Sequence, residues 1–539
     1  MKQLNTLFLA LLCLLVATAV QAQTRYVDAI FDRSEIVRQT DIPYGQNISV
    51  ATMTNGDPDT IPLFLDVYTP PASDDETARP VVLLFHTGSF LPQYFSGQVT
   101  GGRQDSVIVE IATRLAQRGY VAVPATYRYG WDPLATDANV RRGTLLQATY
   151  RGIQDARTAV RFLRKTVAEQ SNPYGIDETK IVAWGQGTGG YLSLGIGFLD
   201  SYDEISTLDK FINTSTALPY VTEAIDGDPY GEQPAFLNIP NHVGYSSDIA
   251  MAVNLGGALG DTTWIDDPAE ATSPQPVVIG YHIVTDPFAP YTTGPVIVPT
   301  TNEFVVNVSG TYTATRRANL LGINSILDYV LDNPDPLTQV VNFYKNLTIN
   351  LTPLGQGTTI IGEDHVYPFL PYNSSVGSGY WDWYGRPQMD LVVQFVNSAF
   401  GTDFNPDTLH ANTLLTNPLM SKETAIPYID TIMNYFYPRG CQGLQLPCAV
   451  VNTQDLVEPE LVQLSAAPNP AVDQIFVSCR EDKLMQQIEV YGYNGQLMRT
   501  FHNVNTNQFT LQRGNLPPGT YLIKAIFEEG IAVEKVIFR

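Results

Sequence analysis

Between residues 79 and 186 the hydrophobic positions switch period several times. Val81 to Phe85 is an unbroken apolar run, the pattern of a strand covered on both faces. Asp105 to Gly119 places Val107, Ile111 and Leu115 on one helical face, and Tyr120 to Val123 reads as the next strand. Ala148 to Val167 is the clearest helix, with Ile153, Ala156, Val160, Leu163 and Val167 at spacings of three and four. Ile181 to Trp184 is a further buried strand. Later strands are expected over 250–254, 276–281 and 358–362. Earlier, Tyr26 to Pro71 alternates in short runs that suggest antiparallel strands. Strands separated by helices predict an α/β domain with a mostly parallel central sheet and helices on both faces.

Residues 199–247 break this rhythm, being rich in Pro, Gly, Asp, Tyr and Asn. They read as an insertion, either a lid over a site or a surface excursion. The α/β domain should occupy residues 23–440. A Cys-containing segment and acidic linker follow over 441–462. From 463 to 539 short alternating strands at 474–477, 487–491, 520–525 and 532–538 predict a small all-β sandwich.

The ends and the charge narrow the setting. Lys2, an apolar stretch from Leu7 to Val16, and Val20-Gln21-Ala22 predict a signal peptide over 1–22. No other stretch has the roughly 20 apolar residues of a spanning helix. The net charge of −23, from 54 acidic and 31 basic residues, argues against nucleic acid as a partner. Cys441 and Cys448 are expected to pair in an oxidising compartment, whereas Cys479 has no evident partner. His86, His282 and His365 lack ligand spacing, so neither a metal nor a cofactor is implied.

The chemistry centres on Gly185-Gln186-Gly187-Thr188-Gly189-Gly190. A strand precedes these residues and a helix follows, the setting of a G-x-S-x-G nucleophile elbow. Gly187 stands where the serine would be. Other segments extend the pattern. Leu65-Asp66-Val67-Tyr68-Thr69-Pro70 is similar to an Asp-Val-Tyr-x-Pro strand. His86-Thr87-Gly88-Ser89-Phe90 is similar to a His-Gly-Gly-x-Phe oxyanion loop, with Thr87 at its first glycine. Thr126-Tyr127-Arg128 and Tyr174-Gly175-Ile176-Asp177 fit the same order. Together they resemble the carboxylesterase-like α/β-hydrolases over about residues 40 to 440.

That resemblance implies an α/β-hydrolase fold. It places the triad acid at Asp286, in His282-Ile283-Val284-Thr285-Asp286, and the base at His365, after the strand expected at 358–362. Thr87, Gly88, Ser89, Gly185, Thr188 and Gly189 would form the oxyanion loop and elbow. A glycine cannot attack a carbonyl, and loss of the nucleophile costs about as much as loss of the whole triad. One reading is therefore a protein whose ester pocket holds a small molecule or carbohydrate ester without cleaving it. The alternative is an active hydrolase, using water activated by Asp286 and His365 or a displaced nucleophile, Thr188 or Ser89.

The C-terminal region has its own resemblance. Ser465-Ala466-Ala467-Pro468-Asn469-Pro470, Asn494-Gly495-Gln496, Pro517-Pro518-Gly519-Thr520-Tyr521 and the final Lys535-Val536-Ile537-Phe538-Arg539 resemble a type A sorting domain of the type IX secretion system. It implies contact with the outer-membrane secretion machinery and a secreted or surface location.

Overall fold

Strand β3 (Arg79–Phe85) is buried along its whole length. Its alternate side chains serve two different cores. Val81, Leu83 and Phe85 join one apolar cluster, and Val82 and Leu84 the other. Period-two alternation thus puts helices on both faces of the sheet. The protein is described by a computed structural model over residues 24–54, 57–271, 273–298, 303–345, 349–351, 358–360, 362–372, 376–448, 462–492, 497–528 and 530–539. The expected signal peptide, most of the linker and the Asn494-Gly495 turn lie outside the described residues.

The central sheet opens with the antiparallel pair β1 (Val37–Thr54) and β2 (Asp57–Thr69). After β3 come α1 (Ser106–Ala116), β4 (Val121–Ala125), α2 (Ala138–Glu169), β5 (Ile176–Gln186), α3 (Thr188–Phe198) and β6 (Met251–Leu255). Next are β7 (Ala258–Leu259), β8 (Val277–Ile283), β9 (Thr293–Ile297), β10 (Phe304–Gly310), α4 (Thr311–Leu320) and α5 (Pro336–Lys345). The domain closes with β11 (Ile349–Leu351), β12 (Thr358–Ile360), β13 (Val366–Phe369), α6 (Arg386–Phe400), α7 (Pro406–Thr416) and α8 (Lys422–Gly443). The sheet order is β1-β2-β4-β3-β5-β6-β8-β13, parallel from β4 to β13. This is the α/β-hydrolase fold. Helices α2, α3 and α4 cover one face, and α1, α5 and α8 the other.

One strand differs from the sequence-based expectation. Among the described residues, Thr358–Ile360 form β12, which pairs with β11 in a separate two-stranded sheet and not with the central one. The last sheet strand is β13, which begins immediately after His365.

A buried ion pair fixes the backbone beside the site. The Arg128 guanidinium donates to Asp155 at 2.9 Å, both side chains being fully buried, and Arg128 N–H donates to the same carboxylate at 2.8 Å. Arg128 also reaches the carbonyls of Ile48 and Leu237, at 3.1 and 2.7 Å. Such multiply bonded guanidinium groups hold loops at fixed register.

Cys441 and Cys448 form a disulfide at the end of α8, and Cys479 is a free thiol. No helix among the described residues is long and apolar enough to cross a membrane. From 462 onward the chain forms β14 (Ser465–Ala467), β15 (Gln474–Ser478), β16 (Gln487–Gly492), β17 (Leu497–Phe501), β18 (Gln508–Gln512), β19 (Gly519–Ile526) and β20 (Ile531–Phe538). They make two antiparallel sheets, β14-β15-β18 and β17-β16-β19-β20, around one core of Ile475, Val477, Ile488, Val490, Ile523 and Val536 among others.

Candidate active site

Gly187 lies between the end of β5 and the start of α3, with φ 54° and ψ −117°. Few residues other than glycine reach this region without strain. Its neighbours force the strand and helix together. A β-carbon at Gly185 would stand 1.8 Å from the Gly189 carbonyl oxygen, and one at Gly189 would stand 2.1 Å from the Phe85 carbonyl oxygen. The Gly187 N–H donates to Leu255 at 2.8 Å, and the Gly190 N–H returns to the Gly187 carbonyl at 2.9 Å. The tight strand–turn–helix backbone is therefore built with no side chain at its centre.

The space beside Gly187 is filled from the loop after β3. A β-carbon on Gly187 would stand 2.3 Å from Thr87 Oγ1 and 2.9 Å from Thr87 Cβ, well inside the 3.5–4.0 Å of favourable carbon contacts. The Thr87 side chain thus takes the space that a side chain at 187 would enter. Sequence reasoning alone does not show this, because residues 87 and 187 meet only in the fold.

The loop itself is tightly held. His86 Nδ1 donates to the Thr87 carbonyl at 2.5 Å, and its ring stacks on Tyr127 at 4.7 Å. Tyr127 Oη donates to the His86 carbonyl at 2.8 Å and lies 3.2 Å from Thr188 Oγ1. Trp131 Nε1 donates to the Ser89 carbonyl at 2.7 Å. Gly88, Ser89 and Phe90 all have positive φ, at 133°, 57° and 52°. Three successive residues in this region are unfavourable unless the surroundings impose them, and here Tyr127 and Trp131 do so. Thr188 Oγ1 is engaged with Tyr127 rather than with a base. The backbone N–H groups of Gly88, Ser89 and Thr188 have no acceptor among the described residues.

Asp286 follows β8, at the carboxyl ends of the parallel strands. Its Oδ1 accepts the N–H groups of Phe288 and Ala289, at 2.8 and 3.2 Å. Its Oδ2 accepts the Ser378 hydroxyl at 2.6 Å. Burial pushes its carboxyl up to about 7, opposed by these hydrogen bonds.

His365 is not brought to Asp286. It precedes β13, and its carbonyl accepts the Gly280 N–H at 2.9 Å, midway along β8, so it sits back along the sheet from the carboxyl end that Asp286 follows. It is 1% exposed, and its Nδ1 has no hydrogen-bond partner among the described residues. Burial holds its pKa well below the ordinary histidine range, helped by the charges of Arg439 and Lys345. The loop after β13 brings Ser378 to Asp286. Asp382, on the same loop, accepts Gln186 Nε2 at 2.8 Å, and burial raises its pKa well above the usual carboxylate range. The sequence reading missed both residues. Their signal was the short strand Val366–Phe369, which marks the following loop as part of the site.

All six histidines fall among the described residues, and none lines the cavity at the elbow. His86 and His282 are each buried and lowered to about 4 by that burial. His282 is fixed by Thr311 Oγ1 at 2.6 Å and by the Ala289 carbonyl at 3.0 Å. Asp200, Glu204 and Asp266 are the described group with carboxylate oxygens close enough for a metal, within 4.8 Å of one another. They lie off the cavity, and Glu204 Oε2 is already bonded to the Asp200 and Ser201 amides.

The cavity has a volume of about 190 Å³. Thr87, Gly187, Thr188, Asp286, Ser378 and Asp382 line its polar end. Its other walls are mostly apolar, with Gln98, Thr149 and Asn417 among the polar exceptions. Leu145 and Ile153 come from α2, Val296 and Ile297 from β9, and Val306 and Val308 from β10. Leu199, Ile205, Phe211 and Val221 of the 199–247 insertion form a further wall, and Thr413 and Thr416 of α7 close another side.

Residues 65–227 match the family model BD-FAE, and residues 465–539 match the secretion system C-terminal sorting domain. No curated protein matches the chain. Similar solved structures include a thermophilic esterase of the planctomycete Thermogutta terrifontis with propionate bound, at 15% identity and TM-score 0.29, covering 67% of this chain and 97% of that one. Its butyrate-bound form has 15% identity and TM-score 0.30, covering 66% and 95%. Its paraoxon-phosphorylated form has 15% identity and TM-score 0.29, covering 67% and 96%. With the sheet order and the two matched regions, the chain carries an esterase-like α/β-hydrolase domain and a type IX secretion sorting domain that directs it to the cell surface or the medium.

Proposed function

We propose that this exported protein binds a small, largely apolar ligand in the former ester pocket and does not hydrolyse it by a serine mechanism. The observation that carries the reading is the pairing of Gly187 with Thr87. The nucleophile's side chain is gone, and Thr87 Oγ1 stands 2.3 Å from where its β-carbon would be. Acyl transfer needs a nucleophile, a base that takes its proton and donors for the oxyanion. The N–H groups of Gly88, Ser89 and Thr188 supply the last of these. For the other two, Gly187 has no side chain, no histidine lines the cavity among the described residues, and the side chain that donates to Asp286 is the Ser378 hydroxyl.

The same distances weigh against the active-hydrolase alternative. Water activation by Asp286 and His365 requires them to share a hydrogen bond, but His365 sits beside the middle of β8 and off the cavity, and Asp286 is bonded to Phe288, Ala289 and Ser378. Thr188 is turned to Tyr127. Ser89 lies in a loop whose carbonyl is fixed by Trp131, with no histidine beside it in the cavity. The test is hydrolysis of 4-nitrophenyl acetate and butyrate by the full chain. The expected rate matches a Thr87→Val, Asp286→Asn control. A rate at least 100-fold above that control, lost with Asp286→Asn alone, overturns the proposal.

A further inference from the structure

We infer that the outer face of the sheet β14-β15-β18, centred on Phe476, is the surface by which the sorting domain docks on a protein of the outer-membrane secretion machinery. The two sheets of this domain share one core and turn opposite sides outward. Those sides differ. On the four-stranded sheet, Glu489 and Lys524 form an ion pair at 3.1 Å. Leu522 packs against the apolar cluster that contains α5 and α8, and Lys535 Nζ lies 5.0 Å from the centre of the Phe343 ring on α5. That sheet therefore turns toward the α/β domain, which leaves the three-stranded sheet facing away.

The strands of the free sheet contain no charged residue. Along β15 the buried Ile475 and Val477 alternate with outward Gln474, Phe476 and Ser478. Ala467 of β14 and Thr510 of β18 stand opposite Phe476 on its two sides. Beside them, Gln512 donates to Gln474, and the Ser465 and Ser478 hydroxyls share a hydrogen bond, each at 2.9 Å. Phe476 is 51% exposed, and Val472, just before β15, is 61% exposed. Among the described residues of this domain only Leu484 joins them as an exposed large apolar side chain. Asp473 and Arg513, the nearest charges in sequence, lie beyond the strand ends. The chain carries a net charge of −23, yet this face offers no cation for a phosphate or an anionic lipid and no carboxylate for a basic segment. Its complement is an uncharged surface. An exposed aromatic ring among amides and hydroxyls, with charge kept to the rim, is the composition of the centre of a protein–protein interface. The match to the secretion sorting domain places that partner in the secretion machinery.

The experiment follows export of the full chain, made in a Gram-negative bacterium that has a type IX secretion system. Immunoblots of medium, cell surface and periplasm give the exported fraction. Phe476→Asp should lower that fraction at least fivefold and Thr510→Lys at least threefold, with the missing protein held in the periplasm. Phe476→Leu should be exported within twofold of wild type. Phe395→Asp, at a 68% exposed site on α6, should do the same. Variants that melt within about 2 °C of wild type, as surface substitutions should, are the ones scored. If Phe476→Asp falls outside that range, Thr510→Lys carries the test. Normal export of Phe476→Asp or Thr510→Lys overturns the inference, as does an equal loss in Phe395→Asp. So does binding of dextran by the purified chain that Phe476→Asp removes while export persists, which would assign the face to a neutral polysaccharide.

Discussion

The elbow and the loop after β13 face the same cavity, and they serve it in opposite ways. At the elbow the backbone is tightly fixed while Gly187 offers no side chain. In the loop after β13 a single side chain, Ser378, reaches Asp286. The difference separates what sets architecture from what sets chemistry. The elbow's shape depends on glycines pressed against main-chain atoms, which the fold requires whether or not a serine is present. The proton relay depends on single side chains, each replaceable without loss of the sheet. Asp286 illustrates the second point, since the Phe288 and Ala289 amides would hold it in place without any base.

The largest expected effect breaks the architectural half. Gly189→Ala places a β-carbon 2.1 Å from the Phe85 carbonyl, a main-chain atom of the central strand. No side-chain rotation relieves that overlap. The expected outcome is loss of the cooperative thermal transition and little soluble protein. A folded Gly189→Ala protein with wild-type melting behaviour would show that the strand–helix approach is not set by these glycines.

Next comes the chemical half. Gly187→Ser alone should gain no esterase activity and should be destabilised by about 1–3 kcal/mol, because the new side chain overpacks against Thr87. Thr87→Gly/Gly187→Ser/Ser378→His clears that space and returns an imidazole to Asp286. Its hydrolysis of 4-nitrophenyl butyrate should exceed wild type at least 100-fold. Equal activity in the single and triple variants would mean that Thr87 does not block the site.

The sequence made the sheet readable because its strands are long apolar runs between helices of opposite pattern, as in β3 and α2. The elbow was readable for the same reason, together with its glycines. The loop after β13 was not. Val366-Tyr367-Pro368-Phe369 is only four residues long and contains a proline, which argues against a central strand. β13 is instead the edge strand of the sheet, where a missing N–H costs no ladder bond. Residues 358–362 look more like a core strand, and assigning them to the sheet moves the expected base onto His365. The contact between Thr87 and Gly187 spans a hundred residues and leaves no local signature at all.

A smaller effect tests Asp286. Its carboxyl is raised from 3.8 to about 7 by burial. Between those values the folded state holds a proton that the unfolded state has released, so this group's contribution to stability is full below about 3.8 and is lost as pH rises to about 7. Asparagine cannot ionise and can keep the bonds from Phe288 and Ala289. The melting temperature of Asp286→Asn relative to wild type should therefore rise between pH 5 and 7 and level off above it. A constant difference across that range would mean that Asp286 is not raised.

The smallest effect falls on the residue that the sequence singled out as the base. His365 stands before β13, buried near Arg439 and Lys345 and away from the cavity. His365→Gln keeps a polar side chain of comparable reach there. The triple variant's esterase rate should be indifferent to the change. A base in the relay would instead cost that variant 100-fold or more. Such a loss would return His365 to the site and require the segment before β13 to rearrange in solution. Indifference leaves Ser378, and not His365, as the residue to change when the relay is rebuilt.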